Sequence, residues 1–431
     1  MQKTFGVVRL PIGWPLIALV HGYVLVWLLG LQEFAWPFIG LALGFWVVSH
    51  RRMIVVPAGF GIWMLFLGWT VVSAVMLVGL DRIAAWGYRE SMYFSATLLL
   101  LFFVNVSEKE LPTRTISRMI LSLWMVTIAG GYLGITFPDT QITSLAEVLL
   151  PESVRQIGFV ISAVDPRLGS TAEFLGVPRP IMPFSYTNQW GAALGILTPL
   201  AMFARYDLRS RWAANGFWVL LLASVVPVIV SVNRGLWVSL CAVAVLFLLR
   251  SGLGGRFATT VVGLVVLTAG AAIVWFTPLR DVVIGRLETP NTGTRETLAG
   301  AAVNLTAESP LIGFGAPVQE TFMADTNDVS VGTHGQLWTL LVSHGIPGAA
   351  FFIGFFLIRA LAALQASARG WWAAIAIFVF LIQMPFYNAL PVPLMLAMIA
   401  IALCMRDSGI QNSTRETSQF RMDSQMERVS P

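Results

Sequence analysis

Twelve apolar runs divide this chain, at 11–30, 33–48, 53–79, 91–106, 117–137, 187–204, 213–232, 235–249, 257–276, 335–358, 371–386 and 391–405. A helix needs about 20 mostly apolar residues to span a bilayer. The runs therefore predict an all-α fold, a polytopic membrane helical bundle of about 12 transmembrane helices with two long helical extracytoplasmic loops. Composition agrees, with 57% of residues hydrophobic and 11% charged, against roughly 25% charged in a soluble domain. Sixteen tryptophans suit anchoring at the membrane–water interfaces. Lys3 and Arg9 precede the first run, but no small-residue cleavage site follows Leu31. That run reads as a retained span and not as a signal peptide.

Charge sets the orientation. With the N-terminus in the cytoplasm and strict alternation, the inner segments hold 18 of the 27 basic residues, Arg51, Arg114, Arg118, Arg205, Arg209 and Arg369 among them. Cytoplasmic loops carry such an excess, so both termini are expected in the cytoplasm. The chain then divides into transmembrane helices over 1–137, an extracytoplasmic loop at 138–186, helices over 187–276, a large extracytoplasmic loop at 277–334, helices over 335–405 and a tail at 406–431. The tail is rich in Ser, Thr and Gln, which predicts a disordered cytoplasmic segment. This topology accounts for the net charge of +5 and gives no reason to expect nucleic acid. Cys241 and Cys404 fall in separate apolar runs, which argues against a disulfide or a zinc site.

One charge interrupts the apolar stretch from Ser224 to Leu249. Arg234 sits in "NRG", between two cytoplasmic basic segments, so the chain must turn there on the outer side. The return helix, read as ending at Leu249, is expected to be about 22 Å long, shorter than a ~30 Å hydrocarbon core. Arg234 then reads equally as the tip of a hairpin sunk below the outer surface or as an arginine snorkelling to headgroups. Both long outer loops carry helix-like apolar patterns. In 142–157 a helix broken by Pro151 is expected to lie on the membrane or on the bundle. In 294–315, Thr294 can cap a helix that Ser309-Pro310 ends, with a tight return at Gly313 and Gly315.

Candidate site residues gather on the outer side: Arg234, Arg295 at the start of the second loop helix, His334 and Gln336 where the tenth run opens, and Asn188 where the sixth does. Two arginines and helix N-termini converging on one cavity would suit a phosphate or pyrophosphate. A nearby histidine could serve as a general base. On bare sequence Asn188 reads first as a helix cap. His344 and His21 read as packed, hydrogen-bonded histidines. The carboxylates are scattered, and no phosphate-binding loop, HExxH or dinucleotide motif occurs.

Four stretches together resemble the O-antigen ligase/polymerase superfamily. "SVNRGLWVSL" is similar to its Ser-Arg-Gly signature, with Asn233 where Ser is usual. "GTRETLAGAAVNLTAESPLIGFG" is similar to its outer-loop arginine, helix and Pro-Leu-x-Gly-x-Gly turn. "THGQLWTLLVSHGIPGAAFF" is similar to the span opened by His-Asn, here His334-Gly335. "PFSYTNQWGAALG" is similar to its Asn-x-x-Gly span. The resemblance covers roughly residues 180–360. It implies a GT-C type membrane glycosyltransferase in a bacterial inner membrane, working without cofactor or metal on the extracytoplasmic face. The implied donor is an undecaprenyl-diphosphate-linked glycan, and the acceptor a glycan, lipid or protein hydroxyl. Arg234 and Arg295 would clamp the diphosphate, His334 would orient or deprotonate the acceptor, and Asn188 and Gln336 would line the site. A transporter or flippase of lipid-linked sugars predicts paired broken helices in two related halves, and no such symmetry is evident. A non-catalytic partner in envelope assembly is the third reading.

Overall fold

The computed structural model describes residues 10–155, 158–171, 176–276, 279–288, 294–320, 329–331 and 334–409. Lys3, Arg9 and the tail from residue 410 onward lie outside the described residues. The fold is 74% helical with almost no sheet. α1 (Trp14–His21) and α2 (Tyr23–Leu28) share the first apolar run, and α3 (Ala35–Ser49), α4 (Phe60–Ser73), α5 (Leu80–Asn105) and α6 (Thr113–Thr136) follow. The first long loop holds α7 (Leu145–Leu149), α8 (Glu152–Arg155), α9 (Gly158–Val164) and the paired strands β1 (Gly169–Ser170) and β2 (Arg179–Pro180). Next come α10 (Thr187–Ala204), α11 (Arg211–Ala223), α12 (Val225–Val230), α13 (Arg234–Leu253) and α14 (Phe257–Trp275). The second long loop carries α15 (Leu279–Glu288), α16 (Thr294–Glu308) and the hairpin β3 (Val318–Glu320) with β4 (Val329–Val331). α17 (Gln336–Ala362), α18 (Gly370–Gln383) and α19 (Val392–Asp407) complete the bundle.

Among the described residues, four helical stretches are long and apolar enough to cross a membrane on length and composition alone: Thr113–Thr136, Arg211–Val230, Arg234–Leu253 and Gln336–Ala362. Ala35–Ser49, Phe60–Met76 and Gly370–Gln383 are shorter apolar helices. The return helix after Arg234 corrects the sequence expectation. It runs 20 residues, about 30 Å, because it continues through Arg250, whose guanidinium lies over the Trp371 ring at 5.0 Å. The depth of Arg234 is thus not set by a short helix.

A helix apolar on every side must be surrounded, and α19 is: every residue from Val392 to Met405 is buried. α10, α5 and α18 pack around it, and α11, α13 and α14 form the periphery with exposed apolar faces such as Trp212, Val245 and Val265. Arg406 closes one end by donating to the Phe103, Val106 and Leu111 carbonyls (3.0, 2.7 and 3.0 Å) around the end of α5. A cation is favoured at such a C-terminus. The first long loop packs on the bundle. Ala146, Val160 and Val164 cluster with Phe34, and Ser144 caps α7 at the Glu147 N–H while donating to the Val164 carbonyl. Its outward face, Leu145, Val148 and Leu149, remains exposed. Below it, Asp139 accepts from the Thr171 N–H and hydroxyl (3.0 and 2.8 Å), which hold its carboxyl below the usual range.

α17 is broken at Gly345, whose φ of 67° and ψ of −173° only glycine adopts readily. The turn that follows α16, "SPLIGFG", fills the break. The N–H groups of Phe314 and Gly315 donate to the Val342 and Ser343 carbonyls (2.9 and 2.7 Å), and the Ile346 N–H donates to Pro310 (2.8 Å). Trp69 donates its indole N–H to both Leu311 and His344 carbonyls (3.1 and 3.0 Å), and Arg82 holds the Phe314 and Ala316 carbonyls (2.6 and 2.9 Å). Irregular backbone within a membrane bundle is tolerated where protein satisfies it. His344 is packed as expected, with Nδ1 2.7 Å from the Ser73 hydroxyl. His21, expected to be packed in the same way, is exposed, since it faces outward at the end of α1.

A methyl group on Gly345 would lie 2.5 Å from the Leu311 carbonyl oxygen, whereas one on Gly354 would meet only Ile62 at 3.9 Å. Gly345→Ala is expected to cost about 2–4 kcal/mol through strain and clash, read as a lowered melting temperature in detergent. Gly354→Ala should melt as the parent does.

Candidate functional site

The turn bearing Arg234 is over-determined by its neighbours. Val232 adopts a left-handed φ of 55°, unfavourable for a β-branched residue. Asn233, only 2% exposed, donates through Nδ2 to the Thr187 carbonyl (2.8 Å) and accepts from Arg179 at Oδ1 (3.4 Å). Arg179, itself buried on β2, also donates through Nε to the Ser231 carbonyl (2.8 Å). Gly191 has no room for a Cβ beside the Asn233 amide. The two motifs Asn-x-x-Gly and Asn-Arg-Gly therefore meet at one contact. Arg234 follows as the first residue of α13 and is half-buried. A helix N-terminus is the unfavourable end of the dipole for a cation, so tertiary contacts and not helix preference hold it there.

Tyr387 ties this turn to the start of α17. Its hydroxyl accepts from the Leu236 N–H (2.8 Å), and its ring covers Gly235, where a methyl would come within 2.7 Å of Cζ. Its carbonyl accepts from the Gln336 N–H (2.8 Å), while the Leu337 N–H donates to Met384 (3.0 Å). Trp338 donates to the Pro385 carbonyl (3.1 Å), and Gly335 passes so close to that oxygen that a Cβ would lie 2.6 Å away. His334 stands exposed just ahead of this anchored helix start. Arg234 and His334 are thus each two residues from a group bonded to Tyr387.

A polar layer extends from here across the bundle. Gln336 is fully buried, donating to the Tyr93 hydroxyl (3.1 Å) and accepting from the Ala389 N–H (3.2 Å). Glu33, 8% exposed in the turn before α3, accepts from Ser185, Gln189 and Tyr88 (2.9 Å each). Gln189 also reaches back to the Ser185 N–H (3.0 Å). Tyr186 and Ser162 share a short hydrogen bond above it. Arg89 lies half-buried on α5, its guanidinium donating to the Ala85 carbonyl (3.1 Å).

The sequence candidates separate accordingly. Arg234 and His334 lie on elements joined through Tyr387. Gln336 takes up both ends of its amide inside the protein and fixes the start of α17. Asn188 does not cap α10, which begins at Thr187 after Tyr186; it is half-buried in the first turn, and its neighbour Gln189 makes the network contacts. Arg295 is the second residue of α16, and its side chain lies outside the described residues. α16 itself packs Leu298, Ala302 and Leu305 against Val342 and Trp338 of α17. Sequence reading missed Tyr387, Arg179 and Glu33. A carboxylate opening an apolar run is the available signal for Glu33; nothing marks Tyr387 until the fold brings it to Gly235. Among the described residues no three His, Cys, Asp or Glu cluster as metal ligands would.

No curated protein matches the chain. Residues 218–353, from within α11 through the broken α17, match the family model described as O-antigen ligase. The matched segment holds the Arg234 turn, α16 with its glycine turn, and the start of α17, which carry three of the four motifs; the Asn-x-x-Gly span precedes it. Over that part of the chain, the match supports the O-antigen ligase/polymerase superfamily and, in general terms, a membrane glycosyltransferase of that type.

Proposed function

We propose that the chain transfers a glycan from undecaprenyl diphosphate to an acceptor hydroxyl at the extracytoplasmic face of a bacterial inner membrane, as an O-antigen ligase or a repeat-unit polymerase. The observation that carries this reading is the half-buried Arg234 at the N-terminus of α13, locked by Asn233 and Tyr387. An anion there meets a guanidinium at the positive end of a helix that takes no side-chain cap from Asn233. In the proposed reaction the acceptor oxygen attacks the anomeric carbon as its bond to the diphosphate breaks. Charge grows on the departing diphosphate, where Arg234 and Arg295 stabilise it. His334, exposed just ahead of α17, orients the acceptor and takes its proton. Asn188 lines the same face. Gln336 acts through backbone, by holding α17 against Tyr387.

The same proposal has all twelve apolar runs cross the bilayer with both termini cytoplasmic, the loops at 138–186 and 277–334 outside. Its support is that Arg250, Arg369 and Arg406 are tied into one end of the bundle, and the Arg234 turn lies at the other, since α10 runs from Thr187 beside Asn233 to Ala204.

Purified protein mixed with undecaprenyl-diphosphate glycan and with lipid A core, growing polymer or protein acceptors is expected to yield a glycosylated acceptor by mass spectrometry. No product with any of the three classes would sink the reading. Arg234→Lys keeps the charge and loses the bidentate fork; it should insert normally and slow transfer about 100-fold or more. His334→Ala should lower transfer with donor binding unchanged, and a parallel loss of donor binding would remove its role as base. Tyr387→Phe is expected to cost about 1 kcal/mol of stability and to slow transfer about tenfold through a misplaced Arg234. Reduced stability with unchanged transfer would make Tyr387 a fold residue only.

A further inference from the structure

At the end of the bundle opposite Arg234, the starts of α6 and α11 and the 3-10 turn Arg205–Asp207 enclose a pocket of about 210 Å³. Arg114 and Arg118 line it from the first turns of α6, and Arg209 from the segment before α11. Among the described residues, none of these three guanidinium groups has a carboxylate partner. The one carboxylate in the wall, Asp207, is already neutralised: it pairs with Arg369 and accepts from the Ser117 hydroxyl (2.6 Å). Ser210 opens α11 without a side-chain cap, so the positive end of that helix adds to the field.

The pocket is therefore built for an anion, and its shape and surroundings select the kind. Guanidinium groups bind phosphate oxygens bidentately. The remaining wall is apolar, with Leu121 and Leu208, which a free phosphate does not need and an acyl-bearing phosphate does. Tyr206 and Trp212, 48% and 86% exposed, flank it, and such aromatics settle at headgroup depth. Basic pockets between membrane helices bind anionic head groups.

We propose that this pocket binds the phosphate of an anionic phospholipid headgroup from the leaflet on that side of the membrane, the cytoplasmic one in the topology above. The site is separate from the Arg234 site and does not depend on glycan transfer.

The full-length protein, purified in neutral detergent, is titrated with cardiolipin, phosphatidylglycerol or phosphatidylcholine and read by native mass spectrometry and by melting temperature. The anionic lipids are expected to bind at least about tenfold tighter than phosphatidylcholine and to raise the melting temperature. Arg118→Ala with Arg209→Ala, both at exposed positions, should abolish that preference, and the paired lysine substitutions should keep most of it. Leu208→Trp, which fills the pocket and leaves every charge in place, should weaken binding as the alanine pair does. Excess inorganic phosphate should not displace the lipid. Equal binding of phosphatidylcholine, an unchanged preference in the alanine pair and in Leu208→Trp, or ready displacement by inorganic phosphate would each overturn the proposal.

Discussion

Backbone that leaves helical geometry inside a membrane protein must find its hydrogen bonds in other irregular backbone or in side chains, and this structure is organised around three places where that happens. The break in α17 at Gly345 is filled by the turn after α16. The turn at Ser231–Asn233 is completed by Arg179 and by the start of α10. The Pro385–Leu390 turn receives the start of α17 and, through the Tyr387 hydroxyl, the start of α13. Each irregular segment supplies what another lacks, so none could form alone. Glycines lie at these contacts: Gly191 against Asn233, Gly235 against Tyr387, Gly335 against Pro385, and Gly313 and Gly345 within one docked pair.

This mutual satisfaction explains how a chain so apolar keeps a polar layer in one place. Polar side chains buried without partners are costly, and here they are chained together. Glu33 collects three donors from α5 and the start of α10. Gln189 continues toward the Leu390 carbonyl (3.4 Å), and Gln336 links α5 to Ala389. The chain of contacts ends at Tyr387, one step from the residues that follow Arg234 and His334. A guanidinium at the wrong end of a helix dipole is tolerated because its neighbours are fixed on both sides. That arrangement suits a ligand bearing negative charge, which would meet the cation and the helix terminus together.

The legible part of the sequence was its periodicity of apolar runs and its punctuation. Every run carries a helix, α16 stops at Glu308 before Ser309-Pro310, and the break at Pro151 separates α7 from α8. These are local signals, governed by backbone chemistry within a few residues. The errors were of another kind. On sequence the helix after Arg234 ends at Leu249, before the charge of Arg250, but Trp371 from a distant run receives that charge and the helix continues to Leu253. Asn188 looked like a cap and is not, while Gln189 beside it supports the layer. Tyr387 carried no signal, since a tyrosine in "MPFYNALP" is unremarkable until Gly235 meets its ring.

By itself, the sequence determined that this chain is built of apolar helices, that basic residues gather in the connections between many of them, and that four motifs resembling one superfamily occur in order. Those follow from composition and spacing, which need no partner to be read. Only the tertiary structure decided which motifs touch: the Asn-Arg-Gly turn with the Asn-x-x-Gly helix, and the glycine turn with the broken α17. The physical reason is that each of these segments has unmet hydrogen bonds or empty space where a side chain would be, and a one-dimensional reading cannot say what fills them.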